Sequence, residues 1–176
     1  MSGSALSRRI SEFLGVALFA TSLFWLVALT TYDPTDPVWF FNAGSQEPAS
    51  NFAGRVGAFL AELSYQVVGF GAYLLPLVVA ALGWHFFWCR SSDSPYTKAA
   101  VVGLTLCCSS SFLSLAFGLD VPTSRSFQVG GYLGGWLAVW LAEYLNRTGS
   151  IIVILTVLFL VLILTTQVSF GKLLSV

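Results

Sequence analysis

Residues that could do chemistry are few in this sequence. The candidate metal ligands and nucleophiles are one histidine, His85, and three cysteines, Cys89, Cys107 and Cys108. A structural metal wants four such ligands at short spacing, and a thiol oxidoreductase wants C-x-x-C; neither pattern occurs. Cys107 and Cys108 are adjacent inside an apolar run and read as small packing residues. His85 lies between Trp84 and Trp88 and reads as part of an interfacial aromatic belt. An intramembrane enzyme would need a Ser/Lys, Asp/Asp, His/Glu or Cys pair, and no acid stands inside a long apolar run beside His85. No G-x-x-x-x-G-K-[ST] phosphate loop is present. Catalytic, metal and cofactor-binding residues are therefore assigned to none, and no cofactor is expected.

What remains is a concentrated polar stretch, Tyr32-Asp33-Pro34-Thr35-Asp36-Pro37. Each proline removes a backbone donor and biases the preceding aspartate away from the α region. Asp33 and Asp36 thus become turn residues, and the helix before them stops at about Thr31.

The elements around that turn follow from composition. Of 176 residues, 56% are hydrophobic and 9% charged, with six Trp, fifteen Phe and zero net charge. Mean hydropathy is +0.81. Soluble domains carry about a quarter charged residues, so this is an all-α integral membrane domain, 1–176. Four spans are expected at about 10–31, 67–88, 99–119 and 150–169, with outer segments at about 32–66 and 120–149. The first run is too long for a signal-peptide core and lacks a small-residue cleavage site. Glu12, near its start, can stay at the headgroups beside Arg8 and Arg9. Pro76 is expected mid-span, with a kink. Ser109, Ser110, Ser111 and Ser114 in the third run are read as packing groups, and Thr148 as the N-cap of the last span.

Two further stretches read as amphipathic helices on the outer surface. In the first, about 51–65, Asn51 is a candidate N-cap; Phe52, Val56, Phe59, Leu60 and Leu63 form an apolar arc flanked by Arg55 and Glu62. Gly54, Gly57, Ala58 and Ala61 fall opposite. In the second, about 130–146, Gly130, Gly134, Ala138 and Ala142 recur every fourth residue, as do Tyr132, Trp136, Trp140 and Tyr144 on the other face. The small face suits close packing, within the chain or between copies, and the aromatic face suits the lipid interface. A fifth span at Val129 to Leu145 is opposed by its glycines and Glu143. Arg8, Arg9, Arg90, Lys98 and Lys172 on one side, against Arg55, Arg125 and Arg147 on the other, favour cytoplasmic termini.

A first span ending in Tyr32 to Pro37 resembles the N-terminal four-span membrane domain of FtsK/SpoIIIE-type DNA translocases. Further similarities are Asn51-x-x-Gly54-x-x-Gly57-Ala58, Gly69-x-Gly71-Ala72-Tyr73-Leu74-Leu75-Pro76, Gly130-Gly131-x-x-Gly134-Gly135 and Leu145-Asn146-x-x-Gly149. The resemblance implies a bacterial inner-membrane protein of the division septum, other division proteins as partners, and a homo-oligomer, a hexamer in that family. It implies an ATPase motor as well. Since no Walker loop precedes Val176, the chain is expected to be an excised anchor or a stand-alone relative, without ATPase or nucleic-acid binding of its own.

The favoured reading is a membrane anchor and interaction module of a septal DNA translocase. Its candidate turn and interaction residues are Tyr32, Asp33, Pro34, Asp36, Pro37, Asn51, Gly54, Gly57, Gly130, Gly134, Ala138, Trp136 and Trp140. The alternative is a small four-helix transporter or channel subunit. Such proteins show intramembrane charge or broken helices around a midplane site, and Pro76 is the one break expected here.

Overall fold

From Arg8 to Thr30 the chain has no proline, and Glu12 is its one carboxylate, so nothing interrupts a helix. The computed structural model, which describes residues 2–38, 48–88, 95–118 and 127–166, places α1 at Ser2–Thr30. Arg8 and Glu12 pair one turn apart at 3.0 Å, in keeping with a headgroup-level Glu12. α2 is Gly54–Val68, a 3-10 turn covers Gly69–Tyr73, and α3 is Leu74–Phe87. α4 is Pro95–Phe117 and α5 is Gly131–Thr166. The expectations for Cys89, Arg90, Arg125 and Lys172 lie outside the described residues. Among the described residues the chain is all-α, and four helical stretches are long and apolar enough to cross a membrane: Arg8–Thr30, Gly54–Phe87, Lys98–Phe117 and Gly131–Ile163.

The backbone divides into two compact units. In the first, α1 and α3 pack antiparallel along their length. Ser11 donates to the Phe86 carbonyl at 2.7 Å, and Ser22 to the Pro76 carbonyl at 2.7 Å. Between them Gly15 and Gly83 let the backbones touch: a Cβ on Gly15 would lie 2.8 Å from the Phe87 nitrogen, and one on Gly83 3.0 Å from the Gly15 oxygen. α2 behaves differently. From Asn51 to Tyr65, about 21 Å if fully helical, its partners on α1 lie between Trp25 and Leu29, about 6 Å of helix. It therefore crosses the end of α1 steeply, as an in-plane helix must if α1 spans.

The second unit contains Val67–Phe70 with α4 and α5. Its core is Cys108, Leu115, Ala138 and Ile154, with Phe112, Leu141, Ile151 and Leu158 packed around them. α5 is two helices joined at Asn146, whose φ of 55° and ψ of 169° are not helical. Gly130, just before it, and Gly134 in its first part meet α4 at Ser110 and Ser114. Arg147, just past the break, donates to the Leu115 and Ala116 carbonyls at 2.8 and 3.1 Å, capping the end of α4 where the helix dipole favours a cation.

Three local expectations need correction. Pro76 does not kink a span: it sits in the first turn of α3, where its missing N–H would have had no intrahelical partner, and the break precedes it as the 3-10 turn. Thr148 is not an N-cap, because the chain is already helical there and the break is at Asn146. Asn51 caps a turn rather than α2 itself, since Gly54, at φ 67°, separates that turn from the helix.

Candidate interaction site

The polar stretch after α1 folds as a hydrogen-bonded corner. Thr31 closes the helix by donating its hydroxyl to the Val27 carbonyl at 2.7 Å. Asp33 accepts from the Thr35 backbone N–H at 2.9 Å and from its hydroxyl at 2.7 Å, an Asx turn. Those bonds hold the Asp33 carboxyl below its ordinary range, the backbone bond from Thr35 first among them. The turn's contribution is thus present above the ordinary carboxylate pKa and is lost as pH falls through the lowered one.

Asp36 does more. It is 4% exposed, and its two oxygens take the Ser50 N–H at 2.6 Å, the Ser50 hydroxyl at 2.9 Å and the Asn51 N–H at 3.1 Å. This carboxylate ties the corner to the segment that starts α2. Pro34 is exposed and Pro37 half-buried, so the prolines shape the corner's surface while Asp36 closes it from within.

Asn51, itself buried, carries the tie further. Its Nδ2 donates to the Ala28 carbonyl at 2.8 Å, and its Oδ1 accepts from the Ala53 N–H at 2.9 Å. Gly57 must be small: a Cβ there would meet Asn51 Oδ1 at 2.8 Å and the Ala28 Cβ at 3.3 Å. Gly54 has open space around it and is glycine for its φ.

The sequence pattern puts Glu62 on a surface flank; the structure buries it. It is 4% exposed and accepts from the Tyr32 hydroxyl and from Gln66 Nε2, the latter at 2.9 Å. Beside it Tyr65 donates to the Leu29 carbonyl at 2.9 Å, meets the Tyr73 hydroxyl at 3.0 Å, and packs on Tyr32 with ring centroids 4.9 Å apart. Asp36 and Asn51 thus form one polar group, anchored on the Ala28 carbonyl, and Tyr32, Glu62 and Tyr65 form another, anchored on the Leu29 carbonyl. The last two were missed because their partners are far away in sequence.

The second group lies in the other unit. A Cβ on Gly134 would stand 2.9 Å from the Ser110 Cβ and closer still to the Ser110 carbonyl; one on Gly130 would meet that carbonyl and the Ser114 hydroxyl. Ser110 donates to the Val68 carbonyl at 3.0 Å, and Phe70 N donates to the Val129 carbonyl at 2.9 Å. The face made by Gly130, Gly134 and Ala138 is therefore filled within the chain. Trp136 and Trp140 point outward, 60% and 53% exposed, and Trp140 packs against Tyr144 with the rings tilted.

Among the described residues no three His, Cys, Asp or Glu side chains come together as a metal site would need. Neither His85 Nε2 nor Ser111 Oγ, both buried, has a hydrogen-bond partner among the described residues.

A family profile described as the 4TM region of DNA translocase FtsK/SpoIIIE matches residues 7–176. A protein named DNA translocase FtsK from Pseudomonas putida is 29% identical over 170 residues, 93% of this chain and 20% of that protein. The protein of the same name from Shewanella oneidensis is 30% identical over 136 residues, 74% of this chain and 14% of that one. That from Azospirillum brasilense is 34% identical over 93 residues, 53% of this chain and 15% of its own length. The chain thus spans about a fifth or less of these relatives. No solved structure matches it.

Proposed function

The chain belongs to the FtsK/SpoIIIE family as its four-span membrane region, and from that premise we propose that it anchors a septal DNA translocase and binds other division proteins. The matched region is the membrane part of the family, and the work proposed for it is positioning and binding. The observation that carries the reading is the corner itself. Asp36 and Asn51, with Tyr32 and Glu62, spend their hydrogen-bonding capacity on holding Tyr32 to Pro37 in one shape at the end of a span. A rigid exposed turn fits recognition, since loops carry binding when a scaffold fixes them. Both termini are cytoplasmic on this reading, the corner faces the periplasm, and the protein assembles as a homo-oligomer with its motor.

A fluorescent protein fused after Val176 tests this in dividing cells. The fusion should concentrate at the septum while fractionating with the inner membrane. Uniform envelope fluorescence with intact insertion would leave an anchor without a septal partner and refute the recognition half of the proposal.

A further inference from the structure

Four described residues have positive φ: Gly54 at 67°, Gly69 at 59°, Gly131 at 64° and Asn146 at 55°. They are not scattered. Gly69 stands as far beyond Gly54 in the sequence as Asn146 stands beyond Gly131. Each pair brackets one helix, α2 in the first case and the first part of α5 in the second. The residues inside agree. Gly54-Arg55-Val56-Gly57-Ala58-Phe59-Leu60-Ala61 lines up with Gly131-Tyr132-Leu133-Gly134-Gly135-Trp136-Leu137-Ala138, sharing two glycines, an aromatic, a leucine and an alanine.

The hydrogen bonds repeat too. Gly54 N donates to the Asn51 carbonyl at 2.8 Å, and Gly131 N to the Gln128 carbonyl at 2.8 Å. Gly57 N donates to the Ala53 carbonyl at 3.2 Å, and Gly134 N to the Gly130 carbonyl at 3.1 Å. Burial follows suit: Gly57 and Ala61 are buried, as are Gly134 and Ala138. In each unit the glycine after the turn is pressed against the preceding long helix, Gly57 on Ala28 of α1 and Gly134 on Ser110 of α4. A non-glycine residue at positive φ is uncommon, so Asn146 in register with Gly69 is a strong coincidence to ascribe to chance.

We propose that this domain is an internal duplication, each half being span, bracketed helix, span, and that both bracketed helices dock by their exposed apolar faces into the headgroup boundary of the outer leaflet. A half with two spans returns the chain to its starting side, so the second half repeats the orientation of the first and both helices reach the same membrane surface. The occupant is lipid for two reasons. Two equivalent pairs keep their exposure and apolar or amphipathic character while changing identity: Leu63 is 41% exposed and Trp140 53%, Val67 38% and Tyr144 70%. A specific protein partner would require particular side chains; an interface asks for apolar bulk with polar tips, which Trp and Tyr supply. The first face is also continuous with lipid-facing surface, since Leu23, Phe24, Leu26 and Val27, in the last turns of α1 that α2 crosses, are all exposed. Where the halves differ, Glu62 against Val139, the first has added the polar tie to its corner.

The inference rests on the membrane-anchor reading, and its test separates the two. Three variants each keep one tryptophan in the full chain, the native ones otherwise changed to Phe: native Trp140, Leu63→Trp, and Leu155→Trp in the body of α5. Each is reconstituted in phosphatidylcholine vesicles carrying phospholipid quenchers at the headgroup, at acyl carbon 5 or at carbon 12. Trp140 and Leu63→Trp should give matching profiles, quenched most by headgroup and carbon-5 labels, at least threefold above carbon 12. Leu155→Trp should show the reverse order. If Leu155→Trp responds as expected while Trp140 and Leu63→Trp are quenched by aqueous iodide and by no lipid label, the helices face water or protein and the inference falls. It falls equally if Trp140 and Leu63→Trp give opposite orders. If Leu155→Trp meets no lipid quencher, the membrane reading itself is wrong.

Discussion

Replacing Asp36 by Ala removes a buried carboxylate that joins the corner to the start of α2. The two groups on Ser50 sit on an exposed residue and can turn to water, so their loss costs about 0.5 kcal/mol each. The Asn51 N–H is different, because Asn51 is 3% exposed and no water replaces the carboxylate; an orphaned buried donor costs about 1–3 kcal/mol. The expected total is about 2–4 kcal/mol, a large share of the stability of an ordinary domain. Asp36→Asn keeps one acceptor oxygen but aims an amide at a donor, so it should fall between wild type and Asp36→Ala. Asp33→Ala, whose partners are exposed, should cost far less. The assay is unfolding by SDS in mixed micelles, followed by circular dichroism. Asn51→Ala should also destabilise, and the double variant should lose less than the two single losses combined by about 1 kcal/mol, as coupled neighbours do. An Asp36→Ala protein within about 0.5 kcal/mol of wild type, or strict additivity with Asn51→Ala, would refute the buried tie.

Other outcomes follow from the same contacts. Gly134→Leu should lose about 3 kcal/mol or more in the same titration, since its side chain must displace the Ser110 backbone, whereas Gly103→Ala, with open space around it, should gain about 0.5–1 kcal/mol of helix propensity. Asn146→Gly should stabilise the protein by about 1 kcal/mol, because its φ and ψ are comfortable for glycine and strained for asparagine; Asn146→Ala should do the opposite. In a cysteine-free background, Thr35→Cys should react with an impermeant thiol reagent in intact cells and Tyr96→Cys only after permeabilisation; the reverse pattern would invert the topology.

The parts legible in the sequence are those whose causes are local. Prolines after Asp33 and Asp36 announce a turn wherever they stand, and charge-poor runs announce spans. The small face of Gly130, Gly134 and Ala138 was visible as a face, and the structure supplies Ser110 and Ser114 as what it packs on. Glu62 was misplaced because helical periodicity gives the angle of a residue around its helix, not what stands opposite; Tyr32 brings a hydroxyl there only once the corner has folded. Gly15 and Gly83 carry no pattern alone, and their meaning appears when α1 and α3 lie together. Pro76 was misread because the break comes seven residues earlier, at Gly69, whose left-handed φ no neighbouring residue signals.

Septal anchoring through recognition, as opposed to mere tethering, is tested most directly by exchanging the membrane region of a full-length translocase in the cell this chain comes from. One version carries this chain and the other an unrelated four-span domain with cytoplasmic termini, each joined to the same linker and motor and checked for insertion. The account predicts that this chain restores septal foci and normal cell length, that Pro34→Ala with Pro37→Ala in it inserts yet restores them poorly, and that the unrelated domain inserts and restores neither. Equal rescue by the unrelated domain would contradict it.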